Sequence, residues 1–170
     1  MPKISPRLIY PSALGTVIFH SQVIETFSKF QQMNCRKPEA GGQLFAALKD
    51  ERIDVLHATV PGEKAARGRY FFRPNRKEEQ QEIKTAFQKK LHFVGDWHTH
   101  PESEPSPSSA DVEKASEIFK RSKHELNGLL MVIVGTKRFP GGLWVAWVKA
   151  AGLVVLKPDT AAALPDKPNS

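Results

Sequence analysis

The chain has 170 residues, of which 40% are hydrophobic and 25% charged, with a net charge of +7; this is the make-up of a single globular domain with a real core. No stretch approaches the roughly 18 consecutive apolar residues that span a bilayer, and the start, MPKISPRLIYPSALG, has no secretory apolar run or cleavage site. The lone Cys35 excludes an internal disulfide, so we expect a cytoplasmic protein with no membrane partner. Its basic residues are interleaved with acids in pieces such as RKEEQQEIKTAFQKK and FKRSKHEL, the pattern of solvated helix faces. A dedicated nucleic-acid surface is therefore not expected, while a basic groove for an acidic protein partner stays open.

Residues 1–20 read as an irregular arm leading into a short strand with LGTVIF as its apolar part. Ser21 can cap a helix over QVIETFSKFQQM, with Val23, Ile24, Phe27 and Phe30 on one face and Asn34 and Pro38 closing it. GGQLFAAL and RIDVLHATV read as two strands around the turn KDER; PGEKAARGR reads as a loop and RYFFRP as a third strand stopped by Pro74. Asn75 can cap a second helix over 76–91, with Ile83, Phe87 and Leu91 inward. HFVGDWHTH is a further strand, SADVEKASEIFKRSK a third helix, and GLLMVIVG, GLWVAWVK and GLVVL three closing strands. The order is that of a mixed α/β domain, helices packed on a largely antiparallel or mixed sheet. Residues 158–170 carry no usable periodicity and read as a frayed tail.

The chemistry concentrates in GDWHTHPESEPSPSSAD, residues 95–111. On a strand His98 and His100 point the same way, with Thr99 opposed, so two imidazoles can share one divalent ion. Pro101 ends the strand, and the Ser/Pro loop turns the chain back to Asp111 in a helix's first turn, where exposed N–H groups keep an acid ionised. Two histidines and a carboxylate leave a fourth tetrahedral position open, the layout of a catalytic zinc site. Glu39 is a candidate general base, beside Gly41 and Gly42, which permit close backbone approach. Ser108, at the loop–helix junction, is placed to steady a developing oxyanion.

Each residue also has a plainer reading. His-x-His fits a pair of surface histidines, Ser108-x-x-Asp111 fits a capping box, and Glu39 after Pro38 fits an exposed turn acid. Cys35, His20, His57, His92 and His124 have no partners at ligand spacing and read as structural or solvated. Trp97, Trp144 and Trp147 read as core or rim packing.

HTHPESEPSPSSAD resembles, without a gap, the JAMM signature of His-x-His-Pro, six residues and Ser-x-x-Asp. EAGGQLFA resembles that family's glutamate segment, with Gly42 and Leu44 at +3 and +5; the Gly often found at +7 is Ala46 here, a departure that concerns strand packing. The resemblance covers roughly residues 10–157 and implies a single JAB/MPN-like domain over 1–157, a mixed curved β-sheet flanked by helices. It also implies one zinc ion held by His98, His100 and Asp111, Glu39 as the proton carrier between water and leaving amine, and Ser108 as oxyanion support.

The resemblance implies a metallopeptidase acting at the C-terminus of ubiquitin or a ubiquitin-like protein joined to lysine. PEAGGQLFA and the short chain are most similar to the bacterial isopeptidases of CBASS anti-phage operons. That branch implies a cGAS-like nucleotidyltransferase, conjugated through its C-terminal tail, as substrate and a ubiquitin-type ligase as functional counterpart. Loop 61–69 and segment 102–107 are the candidate cleft walls, though both also fit plain surface loops. The alternatives are a JAMM hydrolase of small peptide or sulfur-carrier conjugates, a non-catalytic MPN scaffold, and a RadC-type DNA-associated protein. The scaffold is disfavoured because such proteins typically lack part of this residue set; the DNA reading predicts strongly salt-dependent binding.

Overall fold

The computed structural model describes residues 6–122 and 127–160; His124 and the tail from 161 lie outside them. Two short strands, β1 (Leu8–Tyr10) and β2 (Thr16–Phe19), precede helix α1 (Ser21–Phe30). Strands β3 (Gly41–Lys49) and β4 (Arg52–Ala58) form a hairpin, followed by a second small hairpin of β5 (Ala66–Gly68) and β6 (Phe71–Arg73). Then come α2 (Arg76–Gln88), β7 (His92–Thr99), α3 (Ser109–Arg121), β8 (Leu129–Val134), β9 (Leu143–Lys149) and β10 (Gly152–Leu156).

Eight strands form one mixed sheet in the order β1-β2-β4-β3-β7-β8-β9-β10. Its β2–β4 and β7–β8 pairs are parallel and the rest antiparallel. The sheet curls so far that its two ends meet: the Asp159 N–H, just past β10, donates to the Ile9 carbonyl of β1 at 2.7 Å. This is the expected mixed sheet flanked by helices.

Helix α1 packs on one face through Val23 and Phe27, both fully buried, with Ile24 and Phe30 partly so. Phe27 and Phe30 hold the indole of Trp97 between them, at ring separations of 5.3 and 5.9 Å. Such aromatic contacts add about 0.5–1.5 kcal/mol each beyond the area they bury. Trp97 thereby anchors β7, the histidine strand, from behind.

Several local expectations change. The arm before residue 20 contains β1, and the stretch read as a loop at 61–69 contains β5. Ser21 is the first residue of α1 and does not cap it; His20 holds the cap position with no side-chain cap bond. The imidazole of His20 is committed elsewhere, 2.7 Å from Asp54 Oδ1. The helix ends at Phe30, short of the expected QQM, because Gln31 leaves helical geometry at φ −50 and ψ 134. Asn75 does cap α2, accepting from the Lys77 and Glu78 N–H groups.

Of the expected apolar face of α2, Ile83 turns to the sheet but Phe87 does not. Phe87 is 68% exposed, resting edge-on against the His92 ring, and the buried residue is Ala86. Glu79, Glu82, Ile83 and Ala86 share the sheet-facing side at helical spacing, so two carboxylates are half-buried under this helix.

Candidate metal centre

Strand parity sets up the site. On β7, Trp97 and Thr99 are buried toward α1, so Asp96 and His98 face the other way, and His100 just past the strand's end continues that face. Reaching this register requires a local fault in the ladder. The β3–β7 pairing shifts between Leu44 and Phe45, opposite Gly95 and Phe93. Gly95 has φ +153, and a Cβ there would sit 2.0 Å from the Leu130 carbonyl oxygen, so only glycine fits the bulge.

Gly41 pairs with His98, and the Thr99 N–H donates to the Ala40 carbonyl at 2.9 Å, which sets Glu39 opposite His100. Cross-strand partners share a face, so Glu39 lies on the histidine side while Ala40 is buried with Thr99. The missing side chain of Gly41 leaves space that the Phe72 ring enters, 2.7 Å from where a Cβ would stand.

Asp111 reaches the same place from the first turn of α3. The plainer reading of Ser108-x-x-Asp111 holds. Ser108 caps α3, its hydroxyl accepting from Asp111 N–H at 3.1 Å, while Asp111 Oδ2 accepts from Ser108 N–H at 2.8 Å. The same carboxylate faces the histidines. Nε2 of His98 is 3.2 Å from Asp111 Oδ1, Nε2 of His100 is 3.2 Å from Oδ2, and the two nitrogens are 3.2 Å apart. Bonds of about 2.0 Å at tetrahedral angles put ligand atoms about 3.3 Å apart. Each nitrogen thus stands at about that spacing from its neighbour and from one of the two carboxylate oxygens, and one ligand atom from each residue lies within 4.8 Å of the others, so the three could hold a metal ion; this is the one such group among the described residues.

The electrostatics agree with a cation site. Burial works against ionising Asp111, but hydrogen bonds from His100 and His98 hold its carboxyl far below the ordinary carboxylate range. Burial disfavours charge on His100, yet its bond to Asp111, with the Glu39 and Glu102 charges, raises it above the usual histidine value. Glu39 is pushed up by burial, with His98 and His100 pulling the other way and Asp111 pushing with it. Asp96 is pushed up to about 7 by burial first and Glu79 next, with Lys114 opposing.

Two segments flank the histidines and Glu39. Segment 102–107 is pinned to the β8–β9 turn, where Thr136 and Lys137 N–H groups donate to the Glu102 and Ser103 carbonyls at 2.9 and 3.2 Å. The β5–β6 hairpin abuts Glu39: its N–H donates to Gly68 carbonyl at 2.8 Å, and Arg67 Nε donates to its carbonyl at 3.0 Å.

Sequence reasoning missed the groups behind Glu39. The Thr99 hydroxyl accepts from Ala40 N–H and donates to Gln32 Oε1, both at 2.9 Å, and Gln32 Nε2 donates to the Arg69 and Lys37 carbonyls at 3.2 and 3.3 Å. Thr99 was legible only as the residue opposed to the histidines, and Gln32 lies past the helix end where periodicity says nothing. His20 is structural, as read: it pairs with Asp54. His57 stacks on Phe45 and Cys35 is exposed. Trp97 and Trp147 are core.

A curved mixed sheet with three helices, carrying two strand histidines and a helix-capping aspartate around one metal position, defines a JAB-type domain. The chain belongs to the family of prokaryotic homologs of the JAB domain, whose model matches residues 20–148. It is 33% identical to a CD-NTase/cGAS isopeptidase of Pseudomonas aeruginosa strain BWHPSA011, covering 69% of this chain and 75% of that protein. It is 27% identical to one of Escherichia coli strain TW11681, over 71% and 77% of the two chains. A protein of Sinorhizobium fredii named as a probable metalloprotease is 26% identical over 74% and 80%. The solution structure of protein DSY2949 from Desulfitobacterium hafniense superposes with a TM-score of 0.56 at 17% identity, over 79% and 84%. That last likeness is one of fold.

Proposed function

We propose that this protein is a zinc isopeptidase that removes a conjugated protein at its C-terminus, most similar in purpose to the CD-NTase/cGAS isopeptidases it resembles. The observation that carries the reading is the convergence of His98 Nε2 and His100 Nε2, 3.2 Å apart, on Asp111, each 3.2 Å from one of its two carboxylate oxygens, with Glu39 placed opposite His100. Two nitrogens, one oxygen and an open position suit a catalytic zinc. Zinc bound there supplies Lewis acidity, polarising the scissile carbonyl and acidifying a water.

The chain's own residues do the rest. His98, His100 and Asp111 would hold the ion, and the Ser108 N–H and the α3 start favour the ionised form of Asp111. Glu39 takes a proton from water and delivers it to the leaving amine. Its raised proton affinity suits both halves of that exchange. Ser108, whose oxygen accepts from Asp111 N–H, has its O–H to donate to the developing oxyanion.

The substrate of this reading is a cGAS-like nucleotidyltransferase, or a ubiquitin-like protein, joined through its C-terminal tail to a lysine or other amine. In this reading the tail would run beside the β5–β6 hairpin, which is bonded to the Glu39 backbone. A ubiquitin-type ligase is the expected functional counterpart and the cytoplasm the expected compartment. No helix among the described residues is long and apolar enough to cross a membrane.

The test uses a nucleotidyltransferase of this kind fused through its C-terminus to a reporter, incubated with wild type, Glu39→Ala, and wild type plus a chelator. Intact mass locates any cut. A cut at the native C-terminus that both controls abolish is the expected result. No cut by zinc-loaded protein refutes this substrate, and undiminished turnover by Glu39→Ala removes it as the proton carrier.

A further inference from the structure

The +7 charge is not spread over the molecule. Residues 29–37 and 64–77 contain nine of the 25 basic residues and none of the 18 acidic ones, so the rest of the chain carries a slight negative excess. Glu63 and Glu78 bound the second segment. The fold stitches the two segments into one surface. Gln32 at the end of α1 donates to the Arg69 carbonyl at 3.2 Å, and Lys37 Nζ reaches the carbonyls of Lys29 and Gln31 at 3.2 and 3.1 Å.

The cations on this surface are neither neutralised nor loose. Among the described residues no ion pair joins any of the nine to a carboxylate. Lys29 Nζ and Arg67 Cζ converge on the Phe30 ring, 5.8 and 5.9 Å from its centroid. Arg69 lies 5.0 Å from the Tyr70 ring and Arg73 5.5 Å from that of Phe71. Those two rings are 70% and 45% exposed. Arginines ordered on exposed aromatics are the make-up of an interface hot spot. Apart from Arg76, whose charge acts on Glu79, these like charges have no carboxylate paired against them among the described residues, and such a cluster gains by receiving an anionic partner.

We infer that this surface docks an acidic stretch of the conjugated protein as its tail enters the cleft. The inference rests on the isopeptidase reading for the identity of the occupant. A polypeptide is favoured over a nucleic acid by position: the surface is bonded to the Glu39 backbone through Gly68 and Arg67, beside the metal position. Whatever lies on it is continuous with what lies at the scissile bond. The outer cations act on encounter and affinity, not on the chemical step.

The experiment compares two C-terminal fusion substrates, one with a Glu/Asp-rich stretch upstream of the scissile carbonyl and one with Gln/Asn in its place. Each is cleaved by wild type and by the double variant Arg69→Gln, Arg73→Gln, whose side chains are exposed and stand apart from the metal. In parallel, fluorescence anisotropy follows a labelled peptide of alternating Glu and Ser, and labelled oligo-dT. The expected result is a KM roughly tenfold lower for the acidic substrate, erased in the double variant with kcat unchanged within about twofold. The advantage shrinks as salt rises from about 0.05 M to about 0.3 M. Equal KM values with normal turnover overturn the surface and leave the isopeptidase reading standing. No cleavage of either substrate by zinc-loaded protein, with Glu/Ser peptide binding that the variant loses, keeps the surface and refutes the C-terminal tail of these substrates as what the site cleaves. Binding of oligo-dT in preference to the peptide overturns the choice of occupant.

Discussion

Replacing Thr99 by Val tests whether the groups behind the metal position hold Glu39 in place. The two side chains have nearly the same shape, so the change removes a hydroxyl and little else. Thr99 is fully buried, and its oxygen both accepts from the buried Ala40 N–H and donates to Gln32 Oε1, at 2.9 Å each. Gln32 is itself 4% exposed, so water reaches neither abandoned partner. Leaving a buried donor or acceptor unpaired costs about 1–3 kcal/mol. Because Gln32 can turn its amide to recover part of its loss, the total should be about 2–4 kcal/mol. Thr99→Ser keeps the hydroxyl and loses one buried methyl, about 1 kcal/mol. Urea unfolding of the three proteins gives the comparison, with an unchanged m-value as the sign that the native state is otherwise intact. Ala40 adjoins Glu39, so the Val variant should also lose about tenfold or more in kcat while its metal content stays at the wild-type level. Stabilities of the Val and Ser variants within about 0.5 kcal/mol of each other would refute the reasoning.

His100→Ala and Asp111→Asn should each lose bound zinc and activity together, read by elemental analysis of the purified proteins; full occupancy in both would dismiss them as ligands. Gly42→Ala should cost about 3 kcal/mol or more, because a Cβ there stands 2.1 Å from the Thr59 carbonyl oxygen, and a thermal melt decides it. Asp54→Asn should cost about 1 kcal/mol at neutral pH, read by urea unfolding across pH. Burial disfavours the Asp54 charge, but bonds from His20 and Arg52 outweigh it and lower its affinity for protons. A folded carboxyl that binds protons less tightly than the unfolded one adds stability above the ordinary carboxylate range. That contribution fades as pH falls through the lowered value, so the two proteins should converge in strong acid.

What could be read from the chain, and what could not, follows from where the signal lies. The apolar runs of β8, β9 and β10 need no tertiary help to be seen, and Asn75 before α2 is a local chemical event. The set of His98, His100, Ser108 and Asp111 was legible because strand parity and a capping box each have a short, fixed spacing. The inward face of α2 was not legible, since Glu79 and Glu82 occupy places where periodicity looks for apolar residues. Glu82 is met from β3 by Gln43, whose amide, turned to donate, reaches Glu82 Oε2 at 2.8 Å, and no local pattern announces that. The three-residue strands β1 and β5 exist because of the strands beside them. The Gln32–Thr99 bond joins positions 67 residues apart and is a product of the fold.

The hydrogen bond from Asp159 to Ile9 also has a consequence for how the protein is made. Its partners are separated by 150 positions, so the outer rim of β1 waits, unsatisfied, for nearly the entire chain to leave the ribosome. Parallel pairing of β7 with β8 must likewise wait for α3 to be threaded between them. The contact between residue 159 and β1 is therefore among the last that synthesis allows to close. Nascent chains stalled before residue 159 should lack that contact and leave the β1 rim more open to pairing with a second copy.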